Sequence, residues 1–187
     1  MTRLASKLRD WELELVRLGA PVDRFLLPGL AAGDVAERLD PVFGSTHTDL
    51  PTWFGWHDGS SSELAWAAAP TGAELMSLSD CLRLRTENLA LFADDDDDPF
   101  LPRWDPAWLP LLGPGNLQIG VDTCSGEVPV FFWDDEDFPA RVAPSLEVAV
   151  TAWADALRAN FYRWSGDRWV YDFASFPMLL RASGLIF

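Results

Sequence analysis

The chain has 187 residues, and its 29 acidic against 14 basic side chains give a net charge of −15 at pH 7. This length is typical of one domain, since domains usually hold about 100–200 residues. Hydrophobic residues form 49 % and aromatic residues 13 % of the chain, which argues against intrinsic disorder, and the acidic balance argues against direct binding to nucleic-acid phosphates.

An amphipathic helix is predicted at the N-terminus. Its apolar residues recur at spacings of four and three: Leu4, Leu8, Trp11, Leu15 and Leu18. Thr2 is placed to cap its start, and Gly19 is placed to end it. The pattern is too short for a sustained coiled coil, so we expect the helix to pack on its own chain. A dimer through this helix is the alternative, and the oligomeric state stays open.

Three helices and a short strand are predicted in the next part of the chain. Gly33 to Leu39 forms the first helix. Leu50 to Gly59 forms the second, with Pro51 in its first turn and Gly59 in the left-handed position just past its end. Glu74 to Leu78 is a predicted strand, and Ser79 is expected to cap a helix that runs towards Leu91.

The C-terminal half combines strands with one further helix. Leu117 to Asp122 and Val128 to Trp133 flank the turn residues Cys124-Ser125-Gly126, which predicts an antiparallel hairpin. Ser145 is expected to cap a helix whose apolar stripe is Leu146, Val150, Trp153, Leu157 and Phe161. Arg168 to Phe173 is predicted to be a strand.

The sequence favours a cytoplasmic protein that does not enter membranes. No apolar segment follows the basic residues near the N-terminus, and no run of about 18 apolar residues exists. Cys81 and Cys124 lie far apart, with no CxxC spacing. We therefore expect two free thiols in a reducing compartment, with a single disulfide as the alternative.

Acidic residues are concentrated in the middle of the chain. Between Asp94 and Asp137 lie twelve acidic residues and one base, Arg103, so this stretch carries −11 of the net charge of −15. Such a field attracts a cationic partner and raises its association rate. The alternative is a solvated acidic face that only aids solubility.

The sequence predicts no metal site and no cofactor. The five consecutive acids Asp94 to Asp98 lack the alternating ligands and the glycine turn of a calcium loop. His47, His57, Cys81 and Cys124 show no zinc-ligand spacing.

Catalysis is also not predicted from the residues. GxSxG, HExxH, phosphate-loop and GxGxxG motifs are all absent. A small hydrolase built on His57 and Asp58 is the enzyme alternative. We expect His57 instead to lie at a helix end and to pack near Gly59 or donate to a backbone carbonyl.

Most of the ten tryptophans lie at positions typical of a core. Trp104 and Trp108, in a proline-rich segment, are the better candidates for partial exposure. We expect at least one of Trp53, Trp56, Trp104 and Trp108 to border a surface groove, because an exposed tryptophan is a common anchor of protein interfaces.

Several blocks, in this order, resemble the SMI1/KNR4 family of the SUKH superfamily. The first is Leu50-Pro51 through His57-Asp58-Gly59, with Asp58 where the family usually has Asn. The second is Ser77-Leu78 at the start of a helix. The third is Trp108-Leu109-Pro110-Leu111 followed by a glycine loop and a strand that ends in Val121-Asp122. Pro144-Ser145-Leu146, opening the last long helix, completes the pattern.

The resemblance covers about residues 30 to 162 of a single domain spanning 1–187. It implies an α+β fold with a mostly antiparallel sheet and helices packed on it. It also implies a non-enzymatic protein-binding module. Many bacterial members are thought to be immunity proteins, which neutralise a partner toxin of a polymorphic toxin system, whereas fungal members act as regulators or scaffolds. Fold alone does not establish function.

The resemblance implies an immunity protein, and with the acidic charge of the chain we expect it to occlude the active site of a basic toxin domain, such as a nuclease, with an acidic surface. A regulatory or scaffolding module without a toxin partner is the alternative. The residues expected to contact the partner are Asp94, Asp95, Asp96, Asp97, Asp98, Trp104, Trp108, Asp134, Asp135, Glu136, Asp137, Trp53 and Trp56.

Overall fold

The structure is a computed structural model, and it describes residues 2–44, 49–61, 74–92, 104–113, 117–132, 140–160, 162–166 and 169–171. The helices are α1 Arg3–Arg17, α2 Val22–Phe25, α3 Ala32–Phe43, α4 Leu50–Trp56, α5 Leu78–Leu91 and α6 Leu146–Arg158. The strands are β1 Leu26–Pro28, β2 His57–Ser60, β3 Glu74–Leu75, β4 Trp108–Gly113, β5 Leu117–Asp122, β6 Val128–Phe132, β7 Ala140–Ala143, β8 Tyr162–Trp164 and β9 Trp169–Tyr171.

The fold is α+β, and all its described strand pairs are antiparallel, as expected. Five strands form one sheet in the order β3-β4-β5-β6-β7, and β1-β2 and β8-β9 form two small sheets. The predicted hairpin is β5-β6, in which Leu117 pairs with Phe132. Gly126 in its connection has a φ of 80°, a conformation that glycine adopts without steric cost. The hairpin implied by the resemblance is β4-β5, where Leu109 pairs with Val121.

The predicted N-terminal helix is confirmed, and it packs on its own chain. The Thr2 hydroxyl accepts a hydrogen bond from the Ala5 amide at 3.1 Å, and Gly19 follows the helix with a φ of 84°. The face that α1 buries, mainly against α6 and α4, consists of Leu4, Leu8, Trp11 and Leu15. The length and hydropathy of the six helices bear on whether the chain can cross a membrane. None of the described helices is long and apolar enough to cross a bilayer.

Four tryptophans pack against one another where α1, α4 and α6 meet. The Trp11 ring lies 5.3 Å from Trp56, 5.2 Å from Trp153 and 6.5 Å from Trp53, measured between centroids. Trp11 and Trp53 are fully buried, and Trp153 is nearly so. Tilted and edge-to-face aromatic pairs contribute about 0.5–1.5 kcal/mol beyond the burial of their area. We call these four residues the tryptophan cluster.

An ionic contact links the C-terminal ends of α1 and α6. Glu14 accepts hydrogen bonds from Arg17 of its own helix and from Arg158 of α6, the latter at 2.9 Å. Burial raises the pKa of Glu14, but the two guanidinium groups outweigh it and hold the pKa below its usual value.

Two predictions about helix ends were wrong. The helix that starts at Leu50 ends at Trp56, and His57 to Ser60 form β2, because β1 offers the backbone partners that pair Leu26 with Ser60 and Pro28 with His57. Ser77, not Ser79, caps α5, since its hydroxyl accepts from the Asp80 amide at 3.1 Å. The Ser79 hydroxyl instead accepts a hydrogen bond from Arg38 of α3 at 2.6 Å.

Other elements agree with the sequence only in part. Ser145 caps α6 as predicted, with its hydroxyl 3.3 Å from the Val148 amide, but Phe161 lies outside the described residues. The helix predicted for Gly33 to Leu39 extends to Phe43, with Pro41 inside it. The strand β1 was not predicted. The strand predicted for Arg168 to Phe173 is described only as β9, which pairs with the unpredicted β8.

Replacing Trp11 with Ala removes the residue that touches all the other members of the tryptophan cluster. We expect Trp11→Ala to lower the free energy of unfolding by about 3–5 kcal/mol, because it leaves a cavity in the core. Urea denaturation followed by circular dichroism measures this change. Leu13→Ala on the same helix is the control: Leu13 is 56 % exposed, and its truncation should change stability by less than about 0.5 kcal/mol. Equal losses from the two variants would contradict a core centred on Trp11.

Candidate functional site

The residues His57-Asp58-Gly59 of β2 lie where the small β1-β2 sheet meets the start of α5. His57 Nδ1 lies 2.7 Å from the carbonyl oxygen of Leu27. A carbonyl can only accept, so Nδ1 carries a proton and donates. The expected hydrogen bond from His57 to a backbone carbonyl is therefore confirmed. Its ring also packs edge-to-face on Trp56 at 4.6 Å, and its Nε2 lies 3.6 Å from Glu12.

Asp58 forms a hydrogen bond with a different partner from that of His57. Its Oδ1 accepts a hydrogen bond from the Leu78 amide at 2.7 Å. The first amides of a helix lack internal partners, and the helix dipole favours an anion at this end. Asp58 therefore supplements Ser77 in capping α5. His57 and Asp58, the pair of the hydrolase alternative, thus hydrogen-bond to different partners, the Leu27 carbonyl and the Leu78 amide.

Gly59 allows β2 and the start of α5 to approach each other. It is buried, with a φ of +92°, and a Cβ at this position would lie 2.6 Å from the Ser77 amide nitrogen. Both the backbone conformation and the available space therefore require glycine. The His57-Asp58-Gly59 segment thus acts as a structural junction, which we call the β2–α5 junction.

A cavity of about 300 Å³ lies beside the β2–α5 junction. This size is at the lower end of the range for small-ligand sites. The Ser60 hydroxyl donates to the Leu75 carbonyl oxygen at 3.1 Å and so ties β2 to β3 at the cavity wall. The lining residues are Leu27, Ser60, Glu74, Leu75, Met76, Ser77, Asp80 and Arg83.

The acidic groups of the cavity differ in their hydrogen-bond and ion-pair partners. Asp80 accepts from the Ser77 hydroxyl at 2.6 Å and from Arg83 at 3.1 Å. The hydrogen bond from Ser77, with the help of Arg83, lowers the pKa of Asp80 despite its partial burial. Burial alone raises the pKa of Glu74. Among the described residues, no cation forms an ion pair with Glu74.

The tryptophans predicted to contact a partner occupy two kinds of environment. Trp56 and Trp108 are partly buried and reach the surface, whereas Trp53 and Trp104 are 0 % and 4 % exposed. Partial exposure of Trp104 was therefore a wrong prediction, and Trp53 is not available for direct contact. None of the four lines the cavity.

Packing explains both buried positions. Trp53 lies on the inner face of α4, within the tryptophan cluster. Trp104 packs edge-to-face on Trp108 at 5.7 Å. The Arg85 guanidinium of α5 donates twice to the Pro106 carbonyl oxygen and so holds this segment against the helix.

The two acidic runs predicted to form the binding surface lie outside the described residues. They are Asp94, Asp95, Asp96, Asp97 and Asp98, and Asp134, Asp135, Glu136 and Asp137. Two described acids of the same stretch have roles in turns. Asp105 accepts from the Ala107 amide at 2.8 Å, and Asp122 accepts from the Cys124 and Ser125 amides.

The described part of the chain also places candidate metal ligands and both cysteines. No group of three or more His, Cys, Asp or Glu side chains there is arranged to hold a metal ion. Cys81 and Cys124 are free, as predicted, the first buried and the second exposed. Burial raises the pKa of the Cys81 thiol, which makes the thiol less reactive.

The comparisons with known proteins leave the resemblance as a hypothesis. No family model matches the chain, and no curated protein matches it either. Within the structure, two blocks of the resemblance touch: Asp58 contacts Leu78, and Gly59 lies against Ser77. The third block forms the hairpin β4-β5, which adjoins β3 in the main sheet.

Sequence reasoning missed the cavity residues Glu74, Asp80 and Arg83. One signal was available: Ser77 followed by an acid three positions later, Asp80, resembles a capping box and points to Ser77 as the N-cap of α5. Glu74 lacks such a signal, because its environment arises from strands and a helix that are distant in sequence.

Substitution of Gly59 tests the β2–α5 junction. We expect Gly59→Ala to lower the free energy of unfolding by about 3 kcal/mol, since a Cβ meets backbone atoms and the φ is positive. Gly33→Ala is the control, because nothing lies within 4 Å of a Cβ built there and alanine favours the helix by up to about 1 kcal/mol. Thermal unfolding of both variants checks this difference. A Gly59→Ala protein as stable as the wild type would refute the close approach.

Replacing Glu74 with Gln should alter stability in a pH-dependent way. Because the folded state raises the pKa of Glu74 above its ordinary 4.5, ionisation of this group opposes folding at neutral pH. That penalty disappears as the pH falls through the folded pKa. Glu74→Gln should therefore be more stable than the wild type at pH 7, and the difference should shrink as the pH falls through the raised pKa and be lost below the ordinary value of 4.5. Urea midpoints across this range measure it, with the exposed Glu37→Gln of α3 as control.

Proposed function

We propose that the chain is a non-enzymatic protein-binding domain of the SMI1/KNR4 type, and specifically an immunity protein. It binds a toxin domain of a polymorphic toxin system and covers that domain's active site. The partner is a basic protein, such as a nuclease, in the cytoplasm. Two free thiols are consistent with this reducing compartment.

The observation that carries the proposal is the contact between blocks of the resemblance that are far apart in sequence. Asp58 Oδ1 receives the Leu78 amide at 2.7 Å, and Gly59 leaves no room for a side chain next to Ser77. The residues of the resemblance thus build the framework of the domain. Because His57 and Asp58 are engaged in this framework, they support a scaffold for binding rather than a catalytic pair.

The charge of the chain supports a basic partner. A net charge of −15 repels nucleic acids and other acidic proteins and attracts a cationic surface over long range. A nuclease carries a basic face where it binds phosphates. An acidic protein that covers this face removes the enzyme's access to its substrate.

Co-expression tests the proposal. The protein encoded by the gene immediately upstream is induced in bacteria with and without this chain, and growth is measured. Rescue of growth, together with a complex of the two purified proteins on gel filtration, supports the immunity function. A complex without rescue favours the regulatory or scaffolding alternative. Absence of both contradicts the proposal for that partner.

A separate prediction concerns the first acidic run, Asp94 to Asp98, as part of the binding surface. We expect neutralising Asp94, Asp95, Asp96 and Asp97 to Asn to lower the association rate with the toxin domain about tenfold at low salt, because electrostatic steering weakens. The difference should disappear at high salt, where charges are screened. Stopped-flow fluorescence measures the rate.

A matched variant separates local charge from total charge. The changes Asp23→Asn, Asp34→Asn, Glu37→Gln and Asp40→Asn remove the same four charges from exposed positions on α2 and α3. This variant should retain most of the wild-type association rate. Equal losses from both variants would show that only the net charge matters, which would contradict a binding surface at the first acidic run.

A further inference from the structure

We propose that the cavity beside the β2–α5 junction receives one arginine side chain of the basic partner protein, with the Glu74 carboxylate as its ion-pair partner. This inference rests on the proposed binding function and assigns it a specific contact. The cavity is formed by β1, β2, β3 and the first turns of α5, and its volume of about 300 Å³ is suited to a single long side chain.

The distribution of charge in the cavity favours a cation. Among the described lining residues, Arg83 is the only basic side chain. Both ends of its guanidinium are already engaged, since Nη2 lies 3.1 Å from Asp80 and Nη1 lies 2.8 Å from Glu87. Among the described residues, no basic side chain forms an ion pair with Glu74. The cavity wall also contains a second carboxylate, that of Asp80. A guanidinium group that enters the cavity therefore meets a negative field.

Glu74 is also a partly desolvated carboxylate. Its burial raises its pKa, so the ionised form lacks some of the hydration that it has in the unfolded chain. A planar guanidinium replaces that hydration with two parallel hydrogen bonds to the carboxylate, and it is less strongly hydrated than an ammonium group. These properties favour arginine over lysine as the occupant.

The apolar lining matches the rest of an arginine side chain. Leu27, Leu75 and Met76 line the same cavity as Glu74, and the methylene groups of arginine gain free energy when they cover apolar surface. The cavity is also accessible, because Arg83 and Asp80 at its wall are 57 % and 50 % exposed. An arginine on the surface of a partner can therefore enter without unfolding the β2–α5 junction.

Titration with N-acetyl-L-argininamide tests this inference without any toxin. Chemical shifts in ¹H–¹⁵N spectra of the full chain should change at the amides of Leu75, Met76 and Ser77. N-acetyl-L-citrullinamide has the same shape without the charge and should cause no saturable change. Glu74→Gln should weaken argininamide binding about tenfold or more, since it removes a charged hydrogen-bond partner. Glu37→Gln removes one charge from α3 outside the cavity and should leave binding unchanged.

The outcomes separate this inference from the proposed function. No shifts with argininamide, equal shifts with citrullinamide, or equal affinity in Glu74→Gln would each overturn the cavity assignment, whatever the growth assay shows. If argininamide binds through Glu74 but co-expression gives neither rescue nor a complex, the arginine site stands and the immunity function fails for that partner. Thermal unfolding of Glu74→Gln confirms that the variant is folded before its binding is measured.

Discussion

The packing of Trp11 against α4 and α6 is the interaction on which the rest of the described structure depends. It holds α4 in place through Trp53 and Trp56, and the end of α4 at Trp56 sets where β2 begins. The strand β2 then carries Asp58 and Gly59 to the start of α5. The cavity exists because these elements converge, so the position of a candidate binding site follows from aromatic packing at another place in the domain. Close-packed interiors transmit such constraints, since they leave little free volume for local adjustment.

The carboxylates discussed above fall into two groups: those that form hydrogen bonds or ion pairs within the domain, and Glu74, which has no described cation as a partner. Asp58 and Asp80 are bound to amides or hydroxyls at the start of α5, and Glu14 joins two helices. Hydrogen bonds and nearby cations stabilise the ionised forms of Glu14 and Asp80 and lower their pKa values. Glu74 shows the opposite shift, because burial is not offset by a described cation. Perturbed carboxylates of this kind are frequent in binding sites. A positively charged ligand in the cavity would replace the hydration that burial removes from Glu74.

The secondary structure could be predicted well where a local signal was sufficient. Thr2 and Ser145 cap their helices as expected, and the spacing of Leu4, Leu8, Trp11 and Leu15 identified the buried face of α1. Predictions failed where a distant segment competed with a local one. Part of the helix predicted for Leu50 to Gly59 is a strand instead: His57 to Ser60 form β2 because β1 provides partners for their backbone groups. Ser79 was a plausible cap by type, but Arg38 of α3 engages its hydroxyl and Ser77 takes its place.

The sequence by itself determined the mixed α+β composition of the chain, its main helical faces, its central hairpin and its strongly acidic character. These properties follow from residue spacing, turn residues and charge, which are local or additive. Only the tertiary structure decided that Trp53 and Trp104 are buried, and that Glu74 shares a cavity with Asp80 and Arg83. It also decided that Asp58 and Gly59 contact the first residues of α5. Burial, pKa and cavity shape depend on which distant segments come together, and that information is absent from the spacing of residues along the chain.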